Sequence, residues 1–155
     1  MRKDSGIETL QDLAGKTIAF EDPLSTSGYL LPTRAIESAG LRLEAEAHAQ
    51  SDASLRYRFS GSEQNSSALL FRGSVDAIAL SDYDWLRANH VPDNQRTQFA
   101  IIHVSEPVPR AIELVRATMP EAEKQALRSF MLRMHLNPAQ ENALEDYHDT
   151  GRFPS

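Results

Sequence analysis

Thr17-Ile18-Ala19-Phe20-Glu21-Asp22-Pro23-Leu24-Ser25-Thr26-Ser27-Gly28 is the stretch on which the reading of this chain depends. Its first four residues form a short β-type run behind Gly15, and Asp22-Pro23 breaks that run. From Gly28 the periodicity changes. Leu30, Leu31, Ala35, Ile36 and Ala39 recur at helical spacing, and Gly40 stands where a C-terminal cap belongs. Pro32 falls near the first turn, where proline does least harm. The unit is strand, small polar turn, helix.

Working outward, the same grammar returns. Leu55, Tyr57 and Phe59 alternate with Arg56 and Arg58 as a strand. Ser60-Gly61-Ser62 then turns into a second helix through Ala68, Leu69 and Phe71, stopped by Gly73. Val75-Asp76-Ala77-Ile78-Ala79-Leu80 reads as a buried strand, and residues 99–104 and 111–115 as two more. Glu106-Pro107-Val108-Pro109 is a stiff extended connector. Two helices close the chain, over residues 121–135 and 138–149, with Asn137-Pro138 between them. Residues 44–52 and 89–98 are polar and read as loops or short surface helices. Strands alternating with helices make the fold class α/β.

The bulk properties narrow the partners. The chain has 155 residues, enough for a sizeable core, and no cysteine, so disulfides and thiolate metal sites are excluded. Acidic residues outnumber basic ones, 22 to 16, for a formal net charge of -6. That balance argues against nucleic acid or an anionic membrane surface, both of which need a basic face. A small anion is still compatible, because its capture depends on a few local N–H groups. No apolar run approaches a membrane span. Met1-Arg2-Lys3-Asp4-Ser5 has no apolar core behind its basic residues and does not read as a signal peptide. The expectation is a chain that stays in the cytoplasm, or one whose leader lies outside this stretch.

The turn of Ser25, Thr26, Ser27 and Gly28 has the chemistry of an oxyanion site. The first turn of a helix leaves backbone N–H groups without intrahelical acceptors, and the helix dipole adds partial positive charge there. Three hydroxyls supplement those amides, and Gly28 lets a ligand approach the backbone. Serine and threonine are also the favoured N-caps of any helix, so this turn alone reads more readily as a cap. Ser60 and Ser62 change the balance. Two such turns after neighbouring parallel strands open at the same carboxyl edge, where open α/β sheets hold ligands. With both in view, capping and binding stand level.

Other residues carry less. His48, His90, His103, His135 and His148 show no metal spacing and read as surface or satisfied structural residues. Glu21-Asp22 and Asp82/Asp84 lack a nucleophile or leaving-group partner, so no catalytic residue, cofactor or metal is expected. Tyr29 shields the turn or packs beneath it. Trp85 reads as a hydrophobic anchor, and the apolar stripe of residues 121–135 as core or a docking face.

With these residues quoted, the chain resembles the phosphate/phosphite/phosphonate solute-binding proteins of ABC transporters, which have the type 2 periplasmic-binding-protein fold. The resemblance runs in order along the chain: Arg2-Lys3-Asp4-Ser5-Gly6-Ile7, LQDLAGKTIAF from Leu10, and DPLSTSGYLLP from Asp22. It continues with residues 59–62, with Gly73-Ser74-Val75-Asp76-Ala77, and with Ser105-Glu106-Pro107-Val108-Pro109. It implies one complete lobe, residues 5–97, which is lobe two of the family, and a partial other lobe, residues 98–155, the returning part of lobe one, whose remainder is absent here. The chain is accordingly expected to be a fragment, a truncated form or a reduced relative, with weak ligand affinity on its own.

The resemblance also implies that Ser25, Thr26, Ser27 and Gly28 grip the oxyanion, with Ser60 and Ser62 in the second turn. Some family members place a histidine where this chain has Glu63, and use an acidic residue just after the strand equivalent to 75–80. Ser81 occupies that position, so Asp82 is the candidate if the register slips by one; Asp82 and Asp84 as surface turn residues is the alternative. A carboxylate repels a bound dianion unless it is protonated, turned away or facing a cation. An aminoalkylphosphonate would reconcile Ser25–Ser27 with Glu63 and Asp82. The implied function is non-catalytic delivery of a phosphonate- or phosphate-type oxyanion to a transporter permease in the periplasm. A ligand-sensing module of a signalling protein is the alternative. A small enzyme on the same scaffold and an interaction remnant are further readings.

Overall fold

Thr17–Phe20 is strand β1, and all four of its residues are buried. A strand covered on both faces is the signature of a central strand in a parallel sheet. The computed structural model describes residues 1–109, 112–147 and 151–153. Within them β2 (Leu43–Ala45), β3 (Leu55–Phe59) and β4 (Ala77–Ile78) join β1 in a four-stranded sheet of order β2-β3-β1-β4. Every pairing is parallel: Ile18 lies opposite Tyr57 on one side and Ala77 on the other.

Side-chain alternation along β1 divides the core. Ile18 and Phe20 pack with Ile36 of helix α1 (Leu31–Ser38), and with Ile7, Leu13, Leu55, Ala77 and Ala79. Ala19 points the other way, toward Leu70 of helix α2 (Glu63–Phe71), Val75, Val91 and Phe99. Helices therefore cover both faces, as the βαβ pattern requires. Phe20 is fully buried and gathers Tyr29, Tyr57 and Phe59 around it, with ring centroids at 5.1, 5.8 and 6.5 Å. Burying one such side chain contributes about 1.5–3 kcal/mol. Tyr29 thus packs beneath the turn that precedes it.

Short helices α3 (Asp82–Leu86) and α4 (Asp93–Arg96) follow the sheet. Residues 44–52, expected as loop or surface helix, begin with edge strand β2 and continue into a 3-10 turn, Glu46–His48. Three half-buried residues give no alternation to read, which is why that strand escaped detection. Residues 89–98 do contain the short helix α4.

The chain separates into two compact units, Met1–Pro107 and Val108–Ser155. The first unit's two ends run side by side. Lys3 N donates to Gln98 O at 2.8 Å, Ala100 N donates to Met1 O at 2.8 Å, and Arg2 bridges Phe99 antiparallel. Apart from that bridge, residues 99–104 form no strand; Ile101 and Val104 are exposed. In the second unit the described residues of the expected 111–115 strand are irregular, with Ile112 and Leu114 exposed; Ala111 lies outside the described residues. An apolar run becomes a strand only where a partner edge is available. Helix α5 (Glu121–Arg133) has no buried residue, and α6 (Glu141–Asp146) anchors through Leu144. The expected end of that last helix, with His148, lies outside the described residues.

Among the described residues no helix is long and apolar enough to cross a membrane.

Candidate functional site

Strands β1, β3 and β4 are adjacent and parallel, so the turns that follow them meet at one carboxyl edge. The first is built by local hydrogen bonds. Asp22 accepts from Leu24 N through Oδ1 at 2.8 Å and from Ser25 N through its carbonyl at 3.1 Å. That Asx turn at Asp22-Pro23 sets the entry angle. Ser25 is extended (φ -72°, ψ 123°), and its Oγ accepts from Gly28 N at 3.0 Å. Its carbonyl accepts from both Tyr29 N (3.1 Å) and Leu30 N (3.0 Å), which widens the first turn, Thr26–Leu30, into a π-helix running directly into α1. The amides of Thr26 and Ser27 head that turn, where helix geometry supplies no acceptor. Thr26 is exposed; Ser25 and Ser27 are half-buried.

The second turn is folded back on the end of β1. Ser60 N donates to Phe20 O (2.8 Å) and Gly61 N to Glu21 O (3.0 Å). The Ser60 hydroxyl reaches Phe20 O at 3.2 Å, Ser62 O at 2.9 Å and Ser66 Oγ at 2.7 Å. Ser62 caps α2, accepting from Asn65 N at 3.1 Å. Both candidate serines of this turn are engaged within the protein, and they deliver Glu63 at the first helical position, half-buried beside the first turn.

The third turn holds an acidic pair with divergent environments. Asp82 is exposed, and its carboxylate accepts from its neighbour's amide, Tyr83 N, at 2.9 Å. Asp84 is buried: Ser81 Oγ accepts from Asp84 N at 3.0 Å and donates to Asp84 Oδ2. Asp84 Oδ1 lies 2.6 Å from His90 Nδ1. The helix phase thus turns Asp84, not Asp82, toward the interior. Its signal in the sequence is Ser81-x-x-Asp84, the spacing of a capping box. Trp85 packs against the second core cluster as an anchor, and the Arg87 guanidinium lies 4.0 Å above the Tyr83 ring.

Glu21 joins these parts; the sequence offers it, with Asp22, only as a carboxylate pair without a nucleophile or leaving-group partner. It follows β1 directly, its carbonyl is held by the second turn, and its side chain is aimed at the first. A Cβ on Gly28 would come within 3.0 Å of Glu21 Oε2 and 2.8 Å of Ser25 Oγ. Burial pushes the Glu21 carboxyl above its ordinary value; the Ser25 hydroxyl bonded to it opposes the rise. A hydrogen-bonded Glu63 and the nearby Asp84 push it further up by like charge. Glu63, Asp84 and His90 each offer a ligand atom within 4.8 Å of the others, and so could approach one cation. They come from two helices and a loop, so no spacing in the sequence announces the group. The edge accordingly pairs an amide-rich turn, suited to an oxyanion, with a carboxylate cluster, suited to a proton or a cation.

The family described as ABC transporter, phosphonate, periplasmic substrate-binding protein matches residues 1–154 of this chain. Two structures of a Xanthomonas citri protein, one bound to chloride ion and one to ATP, superpose over 100% of it, with TM-scores of 0.88 and 0.89 and 34% identity. The chain covers 58% and 57% of those two chains. The phosphate-import protein PhnD of Mycolicibacterium smegmatis is 34% identical over 74 residues, 48% of this chain and 23% of PhnD. The tetrathionate sensor histidine kinase TtrS of Salmonella typhimurium is 49% identical over 47 residues, 30% of this chain and 8% of TtrS. Matched stretches therefore span well under half of either curated relative.

Proposed function

Because this chain belongs to the phosphonate-binding family of periplasmic ABC-transporter substrate-binding proteins, we propose that it captures a phosphonate- or phosphate-type oxyanion without chemical turnover. The observation that carries this reading is the 25–28 turn, whose leading amides stand at the carboxyl edge of the central strand. Thr26 and Ser27 would donate amides and hydroxyls, Ser25 shapes the turn, and Gly28 leaves the backbone approachable. Ser60 and Ser62 hold the adjoining wall, and Glu63 would face a cationic or protonated part of the ligand. Asp82 is the acidic candidate if the register slips by one from Ser81, and the buried Asp84 is better placed to help Glu63. An aminoalkylphosphonate, anionic at one end and cationic at the other, fits both halves.

In this reading residues 5–97 are the ligand-binding lobe and 98–155 the returning portion of the other lobe. The antiparallel pairing of residues 1–3 with 98–100 supports it, since the chain enters and leaves the ligand-binding lobe side by side. The partner would be a transporter permease, and the place of action the periplasm, where members of the family work. PhnD, a phosphate-import protein by name, supports the ligand class.

Calorimetric titration of the protein carrying this chain with phosphate, methylphosphonate and 2-aminoethylphosphonate tests the proposal. Heat of binding with at least one, lost in Ser27→Ala while the fold is kept, is expected. No heat with any of the three overturns it. Ligand recovered unchanged, by phosphorus NMR, is the expected sign of capture without turnover.

A second reading, a ligand-sensing module of a signalling protein, is favoured by the 49% identity with a sensor histidine kinase. Genes for a permease and an ATPase beside this one would indicate transport. A kinase in the same reading frame would indicate sensing.

A further inference from the structure

We propose that Glu21 is a specificity-determining residue of the 25–28 turn: its carboxylate selects an oxyanion that still carries an acidic proton and rejects an isosteric anion that has none. The inference rests on the proposed oxyanion site and names the ligand class that this site takes.

Glu21 is held from both sides. Gly61 N fixes its carbonyl at 3.0 Å, while its side chain reaches the Ser25 hydroxyl. That hydroxyl already accepts from Gly28 N at 3.0 Å, so its single proton is available to point at the Glu21 carboxylate. Gly28, lacking a Cβ, is what allows Glu21 Oε2 to lie so close to the turn. An oxyanion seated on the Thr26 and Ser27 amides would therefore have a fixed carboxylate on its flank. Two oxyanions in hydrogen-bonding reach cannot both be fully ionised; one proton stays between them. A ligand that brings this proton forms a hydrogen bond to Glu21. One that cannot bring it meets a like charge.

The surroundings reinforce the demand for a proton. Glu63 faces Glu21 from α2 and Asp84 acts on it from α3, both acidic. His90 lies 2.6 Å from the Asp84 carboxylate, so when protonated it is the cation that partly offsets this field. Burial and these carboxylates hold the Glu21 carboxyl above its ordinary value even without ligand.

Methylphosphonate and methanesulfonate make the test. They share size and tetrahedral shape, but only the phosphonate has a proton to offer near neutral pH. Wild type is expected to bind methylphosphonate at least about tenfold more tightly than methanesulfonate, the effect of one well-placed hydrogen bond to a charged group. Its affinity for methylphosphonate should fall about tenfold per pH unit above the ligand's second ionisation, the slope of one linked proton. Glu21→Gln should bring the two ligands within about threefold of each other, since a neutral amide serves either, and should flatten the pH slope. Glu63→Gln, which removes a neighbouring carboxylate, should narrow the preference less than Glu21→Gln does; if it, and not Glu21→Gln, abolishes the preference, the assignment to Glu21 is overturned. Should Glu21→Gln fold poorly, calorimetry of wild type in buffers of different ionisation enthalpy gives the same answer. Uptake of one proton with the phosphonate above its second ionisation supports the proposal, and no uptake overturns it. Methylphosphonate binding that Ser27→Ala weakens, with a preference Glu21→Gln does not change, defeats this inference and leaves the oxyanion site standing. Failure of wild type to bind either ligand defeats both.

Discussion

The 25–28 and 60–62 turns are written in the same grammar and do different work. Each follows a neighbouring strand of one parallel sheet, each is rich in serine, and each opens a helix. In the second turn the hydroxyls are absorbed by the protein: Ser60 ties the end of β1 to α2, and Ser62 caps α2. In the first, Ser25 alone is needed to close the turn, and the amides behind it lead a π-helical start. A serine in a turn is thus only a possible donor; the strand order decides whether a neighbouring main chain claims it first.

The two glycines separate the turns most sharply. Gly28 is required for space: an added Cβ would meet Ser25 Oγ at 2.8 Å and Glu21 Cβ at 3.0 Å. Gly61 is required for conformation, with φ of 81° and nothing within 4 Å of an added Cβ. Gly28→Ala is expected to have the largest effect, about 1–3 kcal/mol of stability from overpacking, with loss of methylphosphonate binding as Ser25 and Glu21 shift. Gly61→Ala should cost roughly 1–2 kcal/mol through left-handed strain and leave affinity unchanged in the folded protein. Urea denaturation and calorimetry on both variants measure the pair. Equal loss of affinity in the two would dissolve the distinction between the turns.

Ser60→Ala comes next. Removing its hydroxyl takes away contacts to Phe20 O, Ser62 O and Ser66 Oγ. Phe20 O keeps the Ser60 amide, so the expected cost is about 1 kcal/mol. Ser27→Ala should show the reverse profile, with affinity lost and stability changed by less than about 0.5 kcal/mol. A Ser60→Ala protein that loses affinity without losing stability would place the second turn's hydroxyl on the ligand after all.

Much of this edge could be read from the residues themselves. Thr17-Ile18-Ala19-Phe20 is apolar enough to be a central strand, and the spacing from Leu30 to Ile36 is helical; both elements are present. What sequence could not convey depended on neighbours. Residues 99–104 and 112–115 have strand composition, yet among the described residues they form no more than the Phe99–Arg2 bridge and the Ala100–Met1 hydrogen bond beside it. Asp82 and Asp84 differ by one-half turn of helix, and only the Ser81 cap decides which one turns inward. Glu21 could be read as an acidic residue but not as a neighbour of the 25–28 turn, because its position depends on β1–β3 register and on the missing Cβ of Gly28, two facts from different parts of the chain.

Glu21→Gln gives the smallest expected effect and the one most specific to the first turn. A carboxyl group held above its ordinary value, 4.5, in the folded protein binds more protons there than in the unfolded chain. Stability therefore falls as pH rises through the interval between the ordinary and the raised value, and the cost is absent below it. The glutamine variant has no proton to lose. It should unfold at a higher temperature than wild type at neutral pH, by the equivalent of less than about 1 kcal/mol given solvent screening of a half-exposed group. The advantage should vanish as pH falls below about 4.5, where wild-type Glu21 is neutral in both states. Thermal unfolding of both proteins between pH 4 and pH 8 reads the difference directly. A constant offset across that range would mean that Glu21 acts on the first turn through packing, and that its charge is already balanced in a way the carboxylates at this edge do not suggest.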